Sequence, residues 1–237
     1  MGIITITFDD GYKDTFNNCS EFLYKNNIKA TFAIPTAFIG KTLENRPIVN
    51  TGDIIQLENY GHEINAHTKN HKNLLDIFNS SGEKEVRAEM TESKKELEQI
   101  LGAEKIKSMV FPFIEANNNP LLRKISGEYY SSNRITSEKI VFNKLPVTDP
   151  FSITGFAVTT AITIPQLNEL SSIAKNHNFW FIEVFHLVCE KNTLSASRPE
   201  PYKFFTHIDD FKKHISYLKS NDIQVLTQTE AIKKYGL

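Results

Sequence analysis

The chain has 237 residues, and its 27 Lys and Arg against 28 Asp and Glu give a formal net charge of -1. That balance lacks the basic excess of a nucleic-acid surface. Its 40% hydrophobic and 23% charged content is that of a globular chain long enough to bury a core without staples. Two cysteines, Cys19 and Cys189, are too few for a disulfide framework, and no apolar run is long enough to span a bilayer.

Met1 to Phe8 alternates Ile4, Ile6 and Phe8 with Thr5 and Thr7, a strand pattern. Lys13 to Lys25 places Phe16, Cys19, Phe22 and Leu23 at helical spacing. Ala30 to Ile34 reads as a second strand. Thr51 is expected to cap a helix running through Leu57 and stopping at Gly61, before a third strand from His62 to Ala66. Ser81 to Leu101 predicts the longest helix, closed by Gly102. Met109 to Phe113 predicts a strand, Asn119-Pro120 opens a helix, and Tyr129 to Ser132 predicts another strand. Asn143 to Gly155 reads as an irregular loop. Thr163-Ile164-Pro165-Gln166 is a capping box with proline in the first turn, opening a helix to about Lys175. Phe179 to Phe185 is the strongest strand of the second half. A helix from Thr206 or His207 to Lys219, a strand from Ile223 to Leu226 and a helix from Thr229 to Tyr235 complete the chain.

Strand and helix alternate throughout. This order implies a parallel sheet with helical crossovers, and the length suits an α/β barrel in one domain spanning residues 1–237. No internal repeat, low-complexity tract or linker interrupts it.

Asp9 and Asp10, His67 and His186 all fall at the carboxyl ends of predicted strands, the face that carries active sites in parallel α/β folds. His67 and His71 lie four residues apart and would project together from a turn of helix. Imidazoles suit zinc and related divalent ions, and one carboxylate completes a two-His, one-Asp set with positions open for water and substrate. Each feature has a plain alternative: Asp9-Asp10-Gly11 is also a turn sequence, and the histidines alone could be exposed loop residues. Together they favour a metal site. If Asp10 is the ligand, Asp9 remains as a base for metal-acidified water. His186, after the apolar run Phe179 to Phe185, is either a buried structural residue or a general acid. Trp180 is expected in the core. His62, His177, His207 and His214 receive no role.

These residues together resemble the polysaccharide deacetylase family, the NodB-homology or carbohydrate esterase family 4 domain, over nearly the whole chain. Thr7-Phe8-Asp9-Asp10-Gly11 is similar to the family's first motif, with its first Asp as base and its second as metal ligand. His67-Thr68-Lys69-Asn70-His71 is similar to the second, H-[ST]-x-x-H, whose histidines bind metal. Val184-Phe185-His186 is similar to the fifth, L-x-H. That likeness implies His186 as general acid and Val184 as lining for the acetyl methyl. The third motif, R-x-P-[YF]-G, is only partly kept in Phe111-Pro112-Phe113: Val110 stands for the Arg and Ile114 for the Gly. The resemblance implies that the Phe113 amide helps hold the oxyanion, that Pro112 borders the substrate, and that the Arg which orients the base is missing. The fourth motif is not recognisable, with Asp149 its one candidate remnant.

The resemblance implies a distorted (β/α) barrel of about seven parallel strands. It also implies a metal-dependent deacetylase acting on the N-acetyl group of an amino sugar in a polysaccharide, oligosaccharide or glycolipid precursor. Zinc is the expected ion, with cobalt, nickel or manganese also suited to the ligand set. An O-acetyl esterase or cyclic amide hydrolase on the same fold, or a silent carbohydrate-binding module, are the alternatives. The expected partner is an acetylated carbohydrate, with neither nucleic acid nor a transmembrane segment. A native N-terminus implies a cytoplasmic or membrane-associated protein, a trimmed one an extracytoplasmic protein. Substrate choice is expected in the loops Gly40 to Asn50, Lys72 to Ser81 and Cys189 to Phe205. In the last of these, Tyr202, Phe204 and Phe205 form either a stacking platform or packing under the loop.

Overall fold

The computed structural model describes residues 1–113, 119–190 and 202–236. Seven parallel strands close into a barrel: β1 (Ile3–Phe8), β2 (Thr31–Ile34), β3 (Glu63–Ala66), β4 (Ser108–Val110), β5 (Ser132–Ser137), β6 (Ile153–Ala157) and β7 (Phe179–Phe185). They pair in that order, and six register pairs from Ile3↔Trp180 to Phe8↔Phe185 join β7 back to β1. This is the distorted (β/α) barrel that the sequence implies. The helices are α1 (Lys13–Lys25), α2 (Thr51–Asn59), α3 (Leu74–Ser81), α4 (Glu83–Leu101), α5 (Pro120–Gly127), α6 (Ile164–Asn176), α7 (Ile208–Ser220) and α8 (Gln228–Tyr235).

Period-two alternation explains how the strands serve two cores. On β1 and β7, Ile4, Ile6, Phe8, Phe181 and Phe185 join the cluster shared with the helices, while Ile3, Trp180, Ile182 and Val184 form a second cluster with Ile153. Both strands are therefore buried on both faces, as parallel barrels require. Trp180 is fully buried, and its Nε1 donates to Thr5 Oγ1 at 2.9 Å. At the opposite end from the strand carboxyl termini, α8 plugs the barrel. Thr229 Oγ1 donates to Glu63 Oε1 at 2.6 Å, and Gln228 Nε2 donates to Ser132 Oγ at 3.0 Å.

Five expectations change. Helix α2 is capped by Asn50 rather than Thr51, because Asn50 and Asp53 form a reciprocal capping box. Residues 74–81, expected as loop, form α3, with the Asn73 side chain accepting from Leu75 and Asp76 amides, and Gly82 at φ 81° separates it from α4. Strand β5 begins at Ser132, where the predicted strand ended, because Glu128, Tyr129 and Tyr130 turn back on the end of α5 through Ile125 and Ser126 carbonyls. The irregular stretch holds the start of β6 and the short strand Asn143–Lys144. That strand runs antiparallel to β7, with the Asn143 side chain bridging Thr154 on β6 and the Trp180 carbonyl. Finally, Ile223 to Leu226 makes a single bridge, Ile4↔Val225, instead of a strand.

Candidate metal centre

Phe8 and Phe185 are register partners, so the next residues, Asp9 and His186, leave the sheet side by side. Asp9 continues the inward series Ile3, Thr5, Thr7, and its amide donates to the Phe185 carbonyl at 2.9 Å. Asp10 follows with φ 71°, a left-handed turn that swings its carboxylate over the barrel mouth. His67 follows the end of β3 from the far side of β2.

Asp10, His67 and His71 come together, with ligand atoms all within 4.8 Å of one another. Asp10 Oδ1 lies 3.4 Å from His67 Nε2 and 3.0 Å from His71 Nε2. The two imidazoles converge without the expected turn of helix. The segment is a bend in which Thr68 (φ 62°) and His71 (φ 49°) are left-handed, closed by the His71 amide donating to Thr68 Oγ1 at 3.1 Å. A β-strand end followed by two left-handed residues brings i and i+4 together as effectively as a helix.

Three observations fit this group of donors to a divalent ion. His67 Nδ1 lies 3.0 Å from the Val110 carbonyl, which can only accept, so Nδ1 carries a hydrogen and the neutral ring would present Nε2 to an ion. Burial alone would raise the Asp10 carboxyl, but His71 and His67 hold it well below the usual carboxylate range, so it is a ready anion. Burial would lower the His71 imidazole, and the Asp10 carboxylate outweighs it and raises it. Metal binding at His71 is therefore coupled to release of any proton its imidazole holds.

Glu89 of α4 was not singled out in the sequence, yet it holds the loop that carries His71. Its carboxylate accepts from the Lys69 amide (3.0 Å), the Asn70 amide (2.8 Å) and Asn70 Nδ2 (2.6 Å). Its signal was a carboxylate on the buried face of an otherwise amphipathic helix. Replacing Glu89 with alanine frees these donors, and zinc affinity is expected to fall about 10- to 100-fold with helical content unchanged. Competition against a chromophoric chelator measures this.

His186 lies across from the ligand set. Thr15 Oγ1 donates to its carbonyl at 2.8 Å, and the Phe204 ring lies 4.6 Å away. Burial pushes its imidazole below the ordinary value against the opposing pull of Asp10 and Asp9. Its buried Nδ1 has no hydrogen-bond partner among the described residues.

Asp9, Asp10, His67, His71 and His186 line one cleft of about 260 Å³, bordered by Phe111, Phe113, Thr136, Tyr202 and Phe204. Phe113 is 48% exposed, at φ 61°, with its ring 5.2 Å from His71. That left-handed turn puts Phe113 at the mouth and leaves Pro112 buried behind it, so Pro112 is not among the lining residues. Val184 also fails to line the cleft. It is fully buried inside the barrel, in the space left by the absent side chain of Gly155. Asp149 is exposed and accepts from the Phe151 amide (2.9 Å) and from Ser152 Oγ, a local turn away from the cleft. Of the loops expected to choose the substrate, Glu44, Tyr202, Lys203 and Phe204 reach the cleft, while Phe205 packs against the core. Ile114 and residues 191–201 lie outside the described residues.

The residue most clearly missed is Arg134 of β5, fully buried, with its Nη2 2.5 Å from Asp9 Oδ1 and its Nη1 2.6 Å from Thr136 Oγ1.

The polysaccharide deacetylase family model matches residues 2–128, more than half of the sequence. The chain belongs to that family, which indicates a hydrolase acting on amide or ester bonds. Among solved structures, it resembles the Xyl-CE4 domain of a multidomain xylanase from the hindgut metagenome of Trinervitermes trinervoides. That match has 17% identity and TM-score 0.60, covering 98% of this chain and 90% of the other. A peptidoglycan N-acetylglucosamine deacetylase aligns at 18% identity and TM-score 0.57, covering 95% of this chain and 85% of that one. A family 4 pseudoenzyme from Bacillus anthracis aligns at 14% identity and TM-score 0.59, covering 98% and 65%. These likenesses show a shared fold. No curated protein matches the sequence. No helix among the described residues is long and apolar enough to cross a membrane.

Proposed function

We propose that the chain is a metal-dependent deacetylase that hydrolyses the acetyl amide of an amino sugar. The observation that carries this reading is the convergence in one cleft of a complete ligand set, a separate carboxylate and a separate imidazole. Asp10, His67 and His71 would hold a divalent ion, zinc above all, which when bound supplies Lewis acidity and lowers the pKa of water from 15.7 to about 7.

The remaining chemistry belongs to the chain. Asp9, next to Asp10 but outside the ligand group, takes the proton of the attacking water. The Phe113 amide, at the cleft mouth, donates to the developing oxyanion. His186 delivers a proton to the departing amine. Burial keeps the resting imidazole below its ordinary value, and the proton it gives up is replaced by the one Asp9 has taken from the water, so the cycle balances. Phe204 and Tyr202 border the cleft on the same side as His186, aromatic side chains against which a pyranose ring could pack.

The test is acetate release from chitooligosaccharide, peptidoglycan fragments and acetylxylan in parallel, before and after chelation and with zinc or cobalt restored. Release from the N-acetylated substrates that stops on chelation and returns with metal is expected. Release from acetylxylan alone would establish the second reading, an O-acetyl esterase on the same fold. No metal-stimulated release from any of the three would leave a carbohydrate-binding module and overturn the assignment.

A further inference from the structure

The pattern of the third motif places an arginine at position 110, and this chain has Val110 there. Val110 is on β4, and its register partner on β5 is Arg134. In a parallel sheet, register partners send their side chains to the same face. A guanidinium absent from one strand is therefore present on the next, at the same height in the barrel and on the same side.

Its contacts are few and specific. Arg134 Nη2 meets Asp9 Oδ1 and Nη1 meets Thr136 Oγ1, while Nε makes no hydrogen bond to any described residue. The side chain is fully buried. A guanidinium so placed is a poor way to stabilise a fold, since desolvation offsets much of the attraction to its partner and a buried nitrogen is left unpaired. The neighbouring strand leaves room for Val184 first and for this side chain beside it. At Gly155 of β6, the register partner of Thr136, an added Cβ would come within 2.5 Å of Val184 Cγ2, 3.2 Å of Ile182 Cγ2 and 3.2 Å of Arg134 Cδ. Gly155 has no positive φ, so what it supplies is space.

We propose that Arg134, admitted by Gly155, is the positioning residue of Asp9, reaching it from β5 where the motif would supply an arginine from β4. The guanidinium fixes Asp9 through Oδ1 and leaves Oδ2 for the proton. The inference rests on the reading of Asp9 as base.

The test compares the zinc-loaded wild-type chain with Arg134→Ala, Arg134→Lys, Arg134→Val and the relocation pair Val110→Arg/Arg134→Val. For Arg134→Ala, kcat is expected to fall about 100-fold, with KM and zinc affinity each within about twofold and the cobalt-substituted spectrum unchanged. Added guanidinium ion restores part of the lost kcat. Arg134→Lys recovers little, because an ammonium lacks the fork that spans Asp9 and Thr136. The relocation pair recovers at least about tenfold over Arg134→Val.

A folded Arg134→Ala protein with wild-type kcat overturns the inference. So does a loss of kcat matched by an equal loss of zinc affinity, which would make the arginine structural. Should Arg134→Ala fail to fold, Arg134→Lys and the relocation pair decide: wild-type kcat in the first, or no recovery in the second, overturns it. Absence of wild-type turnover overturns the base assignment and this inference together. Turnover that is indifferent to residue 134 overturns this inference alone.

Discussion

Replacing Asp10 with alanine is expected to abolish metal binding and to lower turnover by about 10³-fold or more. Asp10 is the single anion of the ligand group, and it faces both imidazoles through one oxygen. Its removal leaves two neutral donors from a bend, which hold a divalent ion weakly. His67→Ala and His71→Ala are expected to behave alike, and the double substitution more severely. Elemental analysis after gel filtration measures occupancy. Full occupancy in the double histidine variant would show that the ion sits elsewhere.

Asp9→Asn is expected to lose about 10²- to 10⁴-fold in kcat while retaining its metal, because a general base is removed and no ligand is. This variant carries a second signature. Asp9 is the carboxylate partner of a fully buried guanidinium, and breaking such a pair from one side costs about 3–5 kcal/mol. For a domain of this size, each kcal/mol moves the melting temperature by about 2–4 °C. Loss of the pair alone therefore corresponds to roughly 6–20 °C, and the hydrogen bond an asparagine oxygen still accepts brings the drop below that. Differential scanning calorimetry together with metal analysis checks both halves. A variant with unchanged melting and unchanged kcat would remove Asp9 from the chemistry and from the arginine pair at once.

Much of this was legible in the sequence, for a physical reason. Strands buried on both faces read as dense apolar or β-branched runs, so Ile3–Phe8 and Phe179–Phe185 were found to within two residues, and the polar residues that follow them stood out. Helices with capping signals were found equally well, as at Thr163. What was not legible depended on partners distant in sequence. The segment from Ser132 to Ser137 has polar residues at five of its six positions, because its inward face serves α8 and Asp9 rather than an oily core. The predicted strand stopped at Ser132 and left Arg134 outside it. Gly155 hid for the same reason, since a glycine in a strand reads as a breaker until the side chain occupying its space is known. Glu89 acts on a loop about 19 residues away, so its one local mark, a carboxylate on the buried face of α4, does not say what it holds.

Asp10, Thr68, His71 and Phe113 all hold left-handed backbone, at φ 71°, 62°, 49° and 61°. For residues with side chains, each such position costs on the order of 1 kcal/mol or more, a debt the barrel beneath must carry. The chain would be sturdier with glycine at these places, and it would then have no ligand at two of them and no aromatic wall at a third. Heat tolerance and the capacity to grip an ion thus compete for the same few residues. Mutational screens that reward only thermal endurance would be drawn to this end of the barrel and would erase it first.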